Sequence, residues 1–279
     1  MSKIRRVLVS SVQRFFETDK GRSLIYRFLD RHDLILCRRF PDHMLLFPTW
    51  DYIGRHLLKH GEYQRLLIHK AIELARDARR LPQGGIMLEI GANIGTHTIY
   101  ASLEHDFKCQ IALEPDPRTF DLLQRNIALN NLSGRVLALN TAAGSNPGHL
   151  PFVQDVFNFG ASHIAQSANE TTISVEVDTI DNILQKNKKD PRDVRLVWMD
   201  VEAFELEVLN GMSKLLSQKP VMLMEFNPHD YSEGKQALIA DILYQFYERI
   251  LYYNEDTFVP VEKDALVAMR HQTDILALE

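Results

Sequence analysis

The spacing of apolar residues along the chain changes near residue 85. Before that point apolar residues recur every three or four positions, which is typical of amphipathic helices with one buried stripe. Helices are predicted at about residues 4–16, 22–36 and 62–80, and a short apolar run predicts a strand at 44–48. Pro82 and the pair Gly84–Gly85 end the last of these helices. Residues 1–80 are therefore expected to form a mainly helical N-terminal extension.

After residue 85, continuous apolar runs alternate with segments of helical spacing. A continuous run, unlike an alternating one, indicates a strand that is buried on both faces, as in a parallel sheet covered by helices. Such runs occupy residues 86–90, 109–114, 135–140, 195–200 and 221–226, and further strands are predicted at 171–177, 249–254 and 274–279. Residues 144–171 show mostly neither pattern and are predicted to be irregular. We therefore expect residues 81–279 to form an α/β domain with a doubly wound, mostly parallel sheet.

Composition adds little to this picture. The 279 residues are 45% hydrophobic and 25% charged, as in ordinary globular proteins. No apolar stretch approaches the roughly 18–20 residues that span a bilayer, and the first residues lack the apolar core and cleavage site of a secretory signal. Cys37 and Cys109 form no spacing motif and are expected to be free thiols. These observations favour a cytoplasmic protein.

Charge is distributed unevenly between the two parts of the chain. Residues 1–80 contain 17 Lys and Arg against 9 Asp and Glu, whereas the remainder contains 15 against 28. The basic first helix is compatible with peripheral contact to a membrane surface, with a homodimer contact, or with packing on the body of the protein. The acidic remainder argues against nucleic acid as a partner. The histidines of this segment, His56 among them, lack metal-ligand spacing and are expected to be surface or core residues.

A glycine turn follows the first strand of the predicted sheet, in the segment LEIGANIGTHT at 88–98. Gly91 turns the chain after the strand, and a helix is predicted from about Gly95. Glycines let the backbone approach a ligand closely, and the helix N-terminus offers free N–H groups. The G-x-x-x-G spacing differs from the G-x-G-x-x-G of dinucleotide-binding proteins, which argues against a nicotinamide-dependent oxidoreductase.

Glu114 ends the second predicted strand, 19 residues after Gly95. An acidic residue at this place reaches the ribose hydroxyls of an adenine nucleoside, because a carboxylate can accept hydrogen bonds from two adjacent hydroxyls. The alternative is that Glu114 only caps the following helix.

Together these segments resemble the FkbM family of methyltransferases, within the Rossmann-like class. The resemblance covers about half of the chain, from Ile86 to Phe226. It is carried by LEIGANIGTHT, ALEPDPRTFDLLQRNIALNN, NTAAG, VDTIDNIL, WMDVEAFELEVLNGM and VMLMEF. The resemblance implies methyl transfer from S-adenosylmethionine to an oxygen atom, most often of a small molecule or sugar. The alternative of a different class is a non-catalytic scaffold that binds a nucleoside.

The resemblance also implies a set of cofactor-binding residues at the carboxyl ends of the strands. Those expected near the methionine and ribose are Glu89, Gly91, Ala92, Asn93, Gly95 and Asp200. Those expected near the ribose hydroxyls and the adenine are Glu114, Pro115, Thr141 and Ala142. His97 is expected to pack on the cofactor.

Acidic residues at the same sheet edge are candidates for proton removal from an acceptor hydroxyl. We expect Asp200 to orient the cofactor and acceptor, and Glu202 or Glu225 to accept the proton. Two alternatives stay open: Glu202 could cap the next helix, and Asp200, Glu225 and Asn227 could hold a divalent metal, although none is expected. His229 follows the same strand. Ala203 stands where the family usually has glycine, which disfavours a positive φ and is expected to narrow the pocket.

Overall fold

The computed structural model describes Thr18, Gly21, residues 34–165, Ser167, Glu170 and residues 172–279. The helix predicted at residues 4–16 lies outside the described residues, so its contact with a membrane or a second copy stays a prediction. Most of the helix predicted at 22–36 also lies outside them, and its last two residues belong to a strand. No helix in the described part of the chain is long and apolar enough to cross a membrane.

The elements alternate as the apolar runs predict. The strands are β1 (Ile35–Arg39), β2 (Met44–Pro48), β3 (Ile86–Ile90), β4 (Cys109–Leu113), β5 (Val136–Leu139), β6 (Ala142–Ala143), β7 (Gly148–Val153), β8 (His163–Ile164), β9 (Thr172–Asp178), β10 (Val194–Met199), β11 (Val221–Phe226), β12 (Arg249–Asn254), β13 (Thr257–Pro260) and β14 (Thr273–Leu278). The helices are α1 (Tyr52–His60), α2 (Arg65–Asp77), α3 (Thr96–Glu104), α4 (Pro117–Leu129), α5 (Ile180–Lys186), α6 (Glu205–Asn210), α7 (Ser213–Leu216), α8 (Lys235–Phe246) and α9 (Lys263–Ala268).

The central sheet has the order β13-β12-β14-β11-β10-β3-β4-β5. Strands β5, β4, β3, β10 and β11 run parallel to one another, and β14 runs antiparallel between β11 and β12. Helices α5 to α9 pack on one face, and α2 and α3 pack on the other. All five residues of β3 are buried, which is why this strand is a continuous apolar run in the sequence. The predicted doubly wound, mostly parallel Rossmann-like sheet is confirmed.

The N-terminal hairpin of β1 and β2 is fastened to α4 by two asparagine side chains. Asn126 accepts a hydrogen bond from the backbone N–H of Leu46 at 2.6 Å and donates to its carbonyl at 2.9 Å. Asn130, one helical turn later, does the same for Met44, at 2.9 and 2.7 Å. A side-chain amide carries one donor group and one acceptor group, as a peptide does. The described part of residues 1–80 thus packs on the sheet domain, and the boundary near residue 80 stays a prediction.

A second, small sheet has the order β6-β9-β7-β8. Strands β7 and β8 lie within residues 144–171, so the prediction of an irregular stretch is wrong for residues 148–153 and 163–164. Strand β9, predicted at 171–177 as part of the main sheet, belongs to this small sheet instead. Strand β7 contains a glycine and a proline and is mostly exposed, and β8 has only two residues. Such strands leave no apolar run in the sequence.

Candidate active site

A cavity of about 510 Å³ opens at the carboxyl ends of β3, β4 and β10. Strand β3 has β4 on one side and β10 on the other, so the direction of winding reverses beside it. Open α/β sheets bind ligands in the crevice at such a switch point. The residues predicted from the sequence that line this cavity are Gly91, Ala92, Asn93, His97, Glu114, Pro115, Thr141, Ala142, Asp200, Glu202 and Glu225.

The turn at Gly91 brings the ends of β3 and β10 together. Its φ is +87°, in the left-handed region, and a Cβ at this position would lie 1.8 Å from the carbonyl oxygen of Asp200. Only glycine combines this conformation with this close approach. The backbone N–H groups of Gly91 and Ala92 both donate to the carbonyl of Leu113, at 3.0 and 2.8 Å. The turn is therefore a fixed part of the cavity wall.

Gly95 and Glu89 are not among the residues that line the cavity, so their contact with a cofactor stays a prediction. Gly95 also has a positive φ, +86°, and an added Cβ would lie 2.6 Å from Leu123 Cδ1, so this glycine lets α3 approach α4. Glu89 is buried beneath the turn and accepts a hydrogen bond from the Thr98 hydroxyl. Burial raises the pKa of Glu89 to about 8, and its Oε1 atom has no hydrogen-bond partner.

Glu114 lies on the wall next to the glycine turn. Its carboxylate accepts hydrogen bonds from the backbone N–H of Asn93 at 2.7 Å and of Asp116 at 2.8 Å. Burial raises the pKa of Glu114 to about 7, although these hydrogen bonds favour its charged form. The helix-capping alternative for Glu114 is wrong, because Asp116 is the N-cap of α4 and accepts from the N–H of Arg118.

Three acidic side chains converge on the opposite part of the wall. Carboxylate oxygens of Asp200, Glu202 and Glu225 lie within 4.8 Å of one another. Burial, followed by the neighbouring negative charges, raises the pKa of Asp200 and raises that of Glu202 to about 8. Burial also raises the pKa of Glu225, which accepts a hydrogen bond from Gln272. Without a cation beside them, these three groups do not all ionise near neutral pH.

Two further buried acids lie behind this cluster. Glu205 is 1% exposed, and Asp274 is opposite Glu225 in the register of β11 and β14. Burial raises the pKa of each to about 7, and the charge of Glu225 adds to this effect. In the described part of the chain, no lysine or arginine lines the cavity. The electrostatic potential at this wall is therefore strongly negative when the acids are ionised.

The turn that carries Glu202 is strained. Glu202 has a φ of +49° and Ala203 a φ of +65°, so the alanine adopts the conformation that its side chain disfavours. Lys235 Nζ holds the turn by donating to the carbonyl of Ala203 at 2.5 Å and to Glu207 at 2.8 Å. Ala203 does not line the cavity, so its methyl group does not narrow the pocket as expected. Helix α6 begins at Glu205 after Phe204, so Glu202 is not its cap.

The structure brings together a different set of candidate metal ligands from the set Asp200, Glu225 and Asn227 considered from the sequence. Asp200, Glu202 and Glu225 are the group whose oxygens are close enough to share a divalent ion. Asn227 lines the cavity, but its side chain already donates to Asp230 at 2.5 Å and accepts from the N–H of His229. His229 itself does not line the cavity.

One side of the cavity is built by residues that the sequence analysis missed. Tyr52, His56, Tyr63 and Gln64 line it, so His56 is neither a plain surface nor a core residue. The ring of Tyr63 lies 5.4 Å from that of His56 and 6.2 Å from that of Tyr52, measured between centroids. The amphipathic spacing of α1 predicts which residues are buried, but it does not show what the other face of the helix meets.

A cover segment, residues 158–164, closes the cavity on another side. Its start is fixed by buried Asp51, the N-cap of α1, which accepts a hydrogen bond from the backbone N–H of Phe159 at 2.7 Å. The Phe159 ring also lies under the guanidinium group of Arg118, at 4.5 Å.

Several buried polar atoms on the wall have no hydrogen-bond partner. They are Gln64 Oε1, Asn93 Oδ1, His97 Nε2 and Asn158 Oδ1. Burial lowers the pKa of His97 to about 3, so its ring is neutral, and its centroid lies 4.6 Å from that of Trp198. Buried polar groups without a partner are uncommon in folded proteins, and a group of them around one cavity indicates a ligand site.

Comparison with known proteins finds methyltransferases by both the family profile and individual sequences. The sequence profile of the Methyltransferase FkbM domain matches residues 89–258. The methyltransferase sdnD of Sordaria araneosa is 26% identical over an alignment of 195 positions, and the match covers 59% of this chain and 75% of that protein. The hexuronic acid methyltransferase AglP of Haloferax volcanii is 28% identical over 142 residues, 51% of this chain and 56% of that protein.

Among solved structures, the methyltransferase FkbM from Methylobacillus flagellatus is 20% identical with a TM-score of 0.48. The match covers 71% of this chain and 44% of that one. The chain thus spans less than half of that protein and little more than half of the Haloferax protein. The family profile itself covers more than half of the present chain, from the end of β3 to β13. The chain belongs to the FkbM family of methyltransferases.

Proposed function

We propose that this protein transfers a methyl group from S-adenosylmethionine to a hydroxyl oxygen of a small molecule or sugar. The observation that carries the donor assignment is the position of Glu114. Its carboxylate is fixed by two backbone N–H groups beside the glycine turn, and it faces the cavity. Each carboxylate oxygen keeps a further lone pair, which suits the two adjacent ribose hydroxyls of an adenine nucleoside.

The rest of this half of the cavity fits the same cofactor. The turn at Gly91 forms part of the cavity wall, and the Asn93 side chain offers an unpartnered oxygen there. We assign the methionine and ribose part to Gly91, Ala92 and Asn93, with Asp200 near the cofactor's ammonium group and His97 packed beside it. Pro115, Thr141 and Ala142 form the wall left for the adenine. The bound cofactor supplies an electrophilic methyl group on a sulfonium ion.

The remaining half of the cavity is assigned to the acceptor. The attacking hydroxyl must lie in line with the methyl group, so positioning contributes most of the rate, about 7–11 kcal/mol in favourable cases. Glu202 or Glu225 accepts the hydroxyl proton, while Asp200 orients the reactants. A raised pKa suits this role, because a base titrating near the working pH is effective in proton transfer. Loss of that base is expected to reduce kcat by about 10²–10⁴-fold.

The donor assignment is tested by calorimetric titration with S-adenosylhomocysteine. Glu114→Gln should weaken binding by about 1.5–3 kcal/mol, because a charge-assisted acceptor becomes a neutral amide. The matched control is Glu73→Gln, on the exposed side of α2, which should bind as the wild type does. Tight binding of NADH together with no response to S-adenosylmethionine or S-adenosylhomocysteine would rule out the proposal.

The acceptor assignment is tested by a screen for mass shifts of one methyl group across extracts. A scaffold that only binds a nucleoside would release no S-adenosylhomocysteine in this assay. An oxidoreductase would need a proton donor at the cofactor. The chain contains the spacing Tyr231-x-x-x-Lys235, but neither of these residues lines the cavity.

A further inference from the structure

We infer that the acceptor half of the cavity selects its substrate by charge: it takes a hydroxylated ring that carries an amine, binds the neutral analogue less tightly and rejects the anionic analogue. This inference rests on the proposed function, since it concerns the acceptor of the same site. It is supported by the charge of the wall, by the polarity of its unpartnered atoms and by its aromatic side.

The charge of the wall is the first support. Glu114, Asp200, Glu202 and Glu225 line the cavity, and no lysine or arginine does so in the described part of the chain. Burial lowers the pKa of His97 and His56, so both rings are neutral near neutral pH and contribute no positive charge. Burial raises the pKa of these acids, so without a bound cation they retain protons near neutral pH, and a cation bound beside them favours their ionised form. S-adenosylmethionine carries a net charge of about +1, which leaves the ionised wall negative. An ammonium group on the acceptor offsets that charge, whereas a carboxylate or phosphate adds to it.

The polarity of the unpartnered atoms is the second support. His97 is 6% exposed and lines the cavity with a ring nitrogen that has no partner. The other unpartnered side-chain atoms on the wall, on Gln64, Asn93 and Asn158, are oxygens. Oxygens of this kind accept hydrogen bonds, and ionised carboxylates also only accept. The wall therefore needs a ligand rich in N–H and O–H donors, which an amine and hydroxyls supply and an anionic group does not.

The aromatic side is the third support. The rings of Tyr52, His56 and Tyr63 lie on the cavity wall with their centroids within 6.5 Å of one another. Burial, followed by the charge of Asp200, raises the pKa of Tyr63, so its hydroxyl lies in the field of the acidic cluster. Aromatic faces attract cations and the C–H face of a sugar ring. A ring held on this side would point its polar groups at Glu202 and Glu225.

Part of this half of the site lies outside the region that matches the family profile. Tyr52, His56, Tyr63 and Gln64 precede the region that matches the family profile, and Gln272 follows it. Gln64 has a φ of +53°, and strained residues of this kind are concentrated at functional sites. We therefore do not carry this selectivity over to other members of the family.

The test uses the full chain loaded with S-adenosylhomocysteine and three probes, the methyl glycosides of glucosamine, glucose and glucuronic acid. Ligand-observed NMR titration near neutral pH should give an affinity for the amine about tenfold higher than for the neutral sugar, with the acid weakest. Added salt should reduce the advantage of the amine. An equal or reversed order, or no detectable binding of any probe, overturns the inference.

Variants separate the contribution of the acidic residues from that of the aromatic residues. Glu202→Gln and Glu225→Gln should each remove most of the roughly tenfold advantage of the amine. Tyr63→Ala should weaken all three probes alike and keep their order, and Glu73→Gln should change nothing. If probe binding instead requires added Mg²⁺, the carboxylates are metal ligands and the inference is wrong.

The two proposals fail in different ways. The first titration of each sample measures S-adenosylhomocysteine itself. Absence of that binding contradicts the proposed function. Normal binding of S-adenosylhomocysteine with the wrong order of probes contradicts only the charge selectivity.

Discussion

Replacing Glu202 by glutamine should stabilise the protein at alkaline pH and leave its stability near pH 5 almost unchanged. Burial and the charges of Glu225 and Glu205 raise the pKa of Glu202 from 4.5 to about 8. Between these values the folded protein keeps a proton that the unfolded chain has lost. Stability therefore falls as the pH rises from about 4.5 to about 8, and a glutamine at this position, which does not titrate, avoids that loss.

The size of the effect follows from the same pKa values. A pKa that rises from 4.5 to about 8 corresponds to at most about 5 kcal/mol of unfolding free energy. The side chain is partly exposed, so water screens the charge, and the proton redistributes among Asp200, Glu202 and Glu225. We therefore expect Glu202→Gln to raise the unfolding free energy by about 1–3 kcal/mol at pH 8.5.

The assay is urea unfolding followed by circular dichroism at three pH values, near 5, 7 and 8.5, with EDTA and without cofactor. The control is Glu73→Gln, an exposed residue paired with Lys70 at 3.4 Å, which should change stability by less than about 0.5 kcal/mol at each pH. A stabilisation by Glu202→Gln that is the same at all three pH values, or larger near pH 5, would refute the reasoning. It would mean that the cluster is ionised without cost in the folded protein.

Three further outcomes are expected. Gly91→Ala should unfold the protein or lower its unfolding free energy by more than about 3 kcal/mol, because the added Cβ would lie 1.8 Å from a backbone oxygen. The control, Gly84→Ala, also has a positive φ but has open space around the added Cβ, so it should lower the unfolding free energy by only about 1 kcal/mol. Both values are measured by urea titration. Ala203→Gly should leave the unfolding free energy unchanged or raise it by up to about 1 kcal/mol, because glycine adopts this positive φ without strain. The control, Ala101→Gly inside α3, should lower the unfolding free energy by about 1 kcal/mol or more. The reverse order of the two variants would contradict the strain argument. Removal of residues 1–20 should leave the sheet folded by circular dichroism and alter sedimentation or binding to anionic vesicles; if neither changes, the basic helix has no role in association.

Most strands of the main sheet could be predicted because burial on both faces leaves a continuous apolar run. The residues of β3 and β11 were predicted to the residue for this reason. The edge strand β13, which has no buried residue, was not predicted. The glycine turn and Glu114 could be predicted because the cofactor half of the cavity is built by consecutive strand ends, which lie in fixed order along the chain. Of the small sheet, β9 was predicted as a strand, whereas β6, β7 and β8 were not, because they are short or mostly exposed and depend on tertiary pairing.

The acceptor half could not be predicted for a different reason. Tyr52, His56 and Tyr63 reach the cavity through the packing of the N-terminal segment on α4 and on the cover segment. Nothing local in their spacing distinguishes a helix face that meets solvent from one that meets a cavity. The conformation of Ala203 was also missed, because residue preference alone argues against it and the holding contact from Lys235 comes from a distant helix.

The amide contacts of Asn126 and Asn130 to β2 have a consequence for the solubility of the protein. A strand edge with free N–H and C=O groups is a template on which another polypeptide can add and start an aggregate. On the side of β2 away from β1, two amides one helical turn apart occupy backbone groups of Leu46 and Met44. A helix thus closes this edge without a further strand. Losing both amides would leave the edge open to intermolecular pairing, even where the chain remains folded.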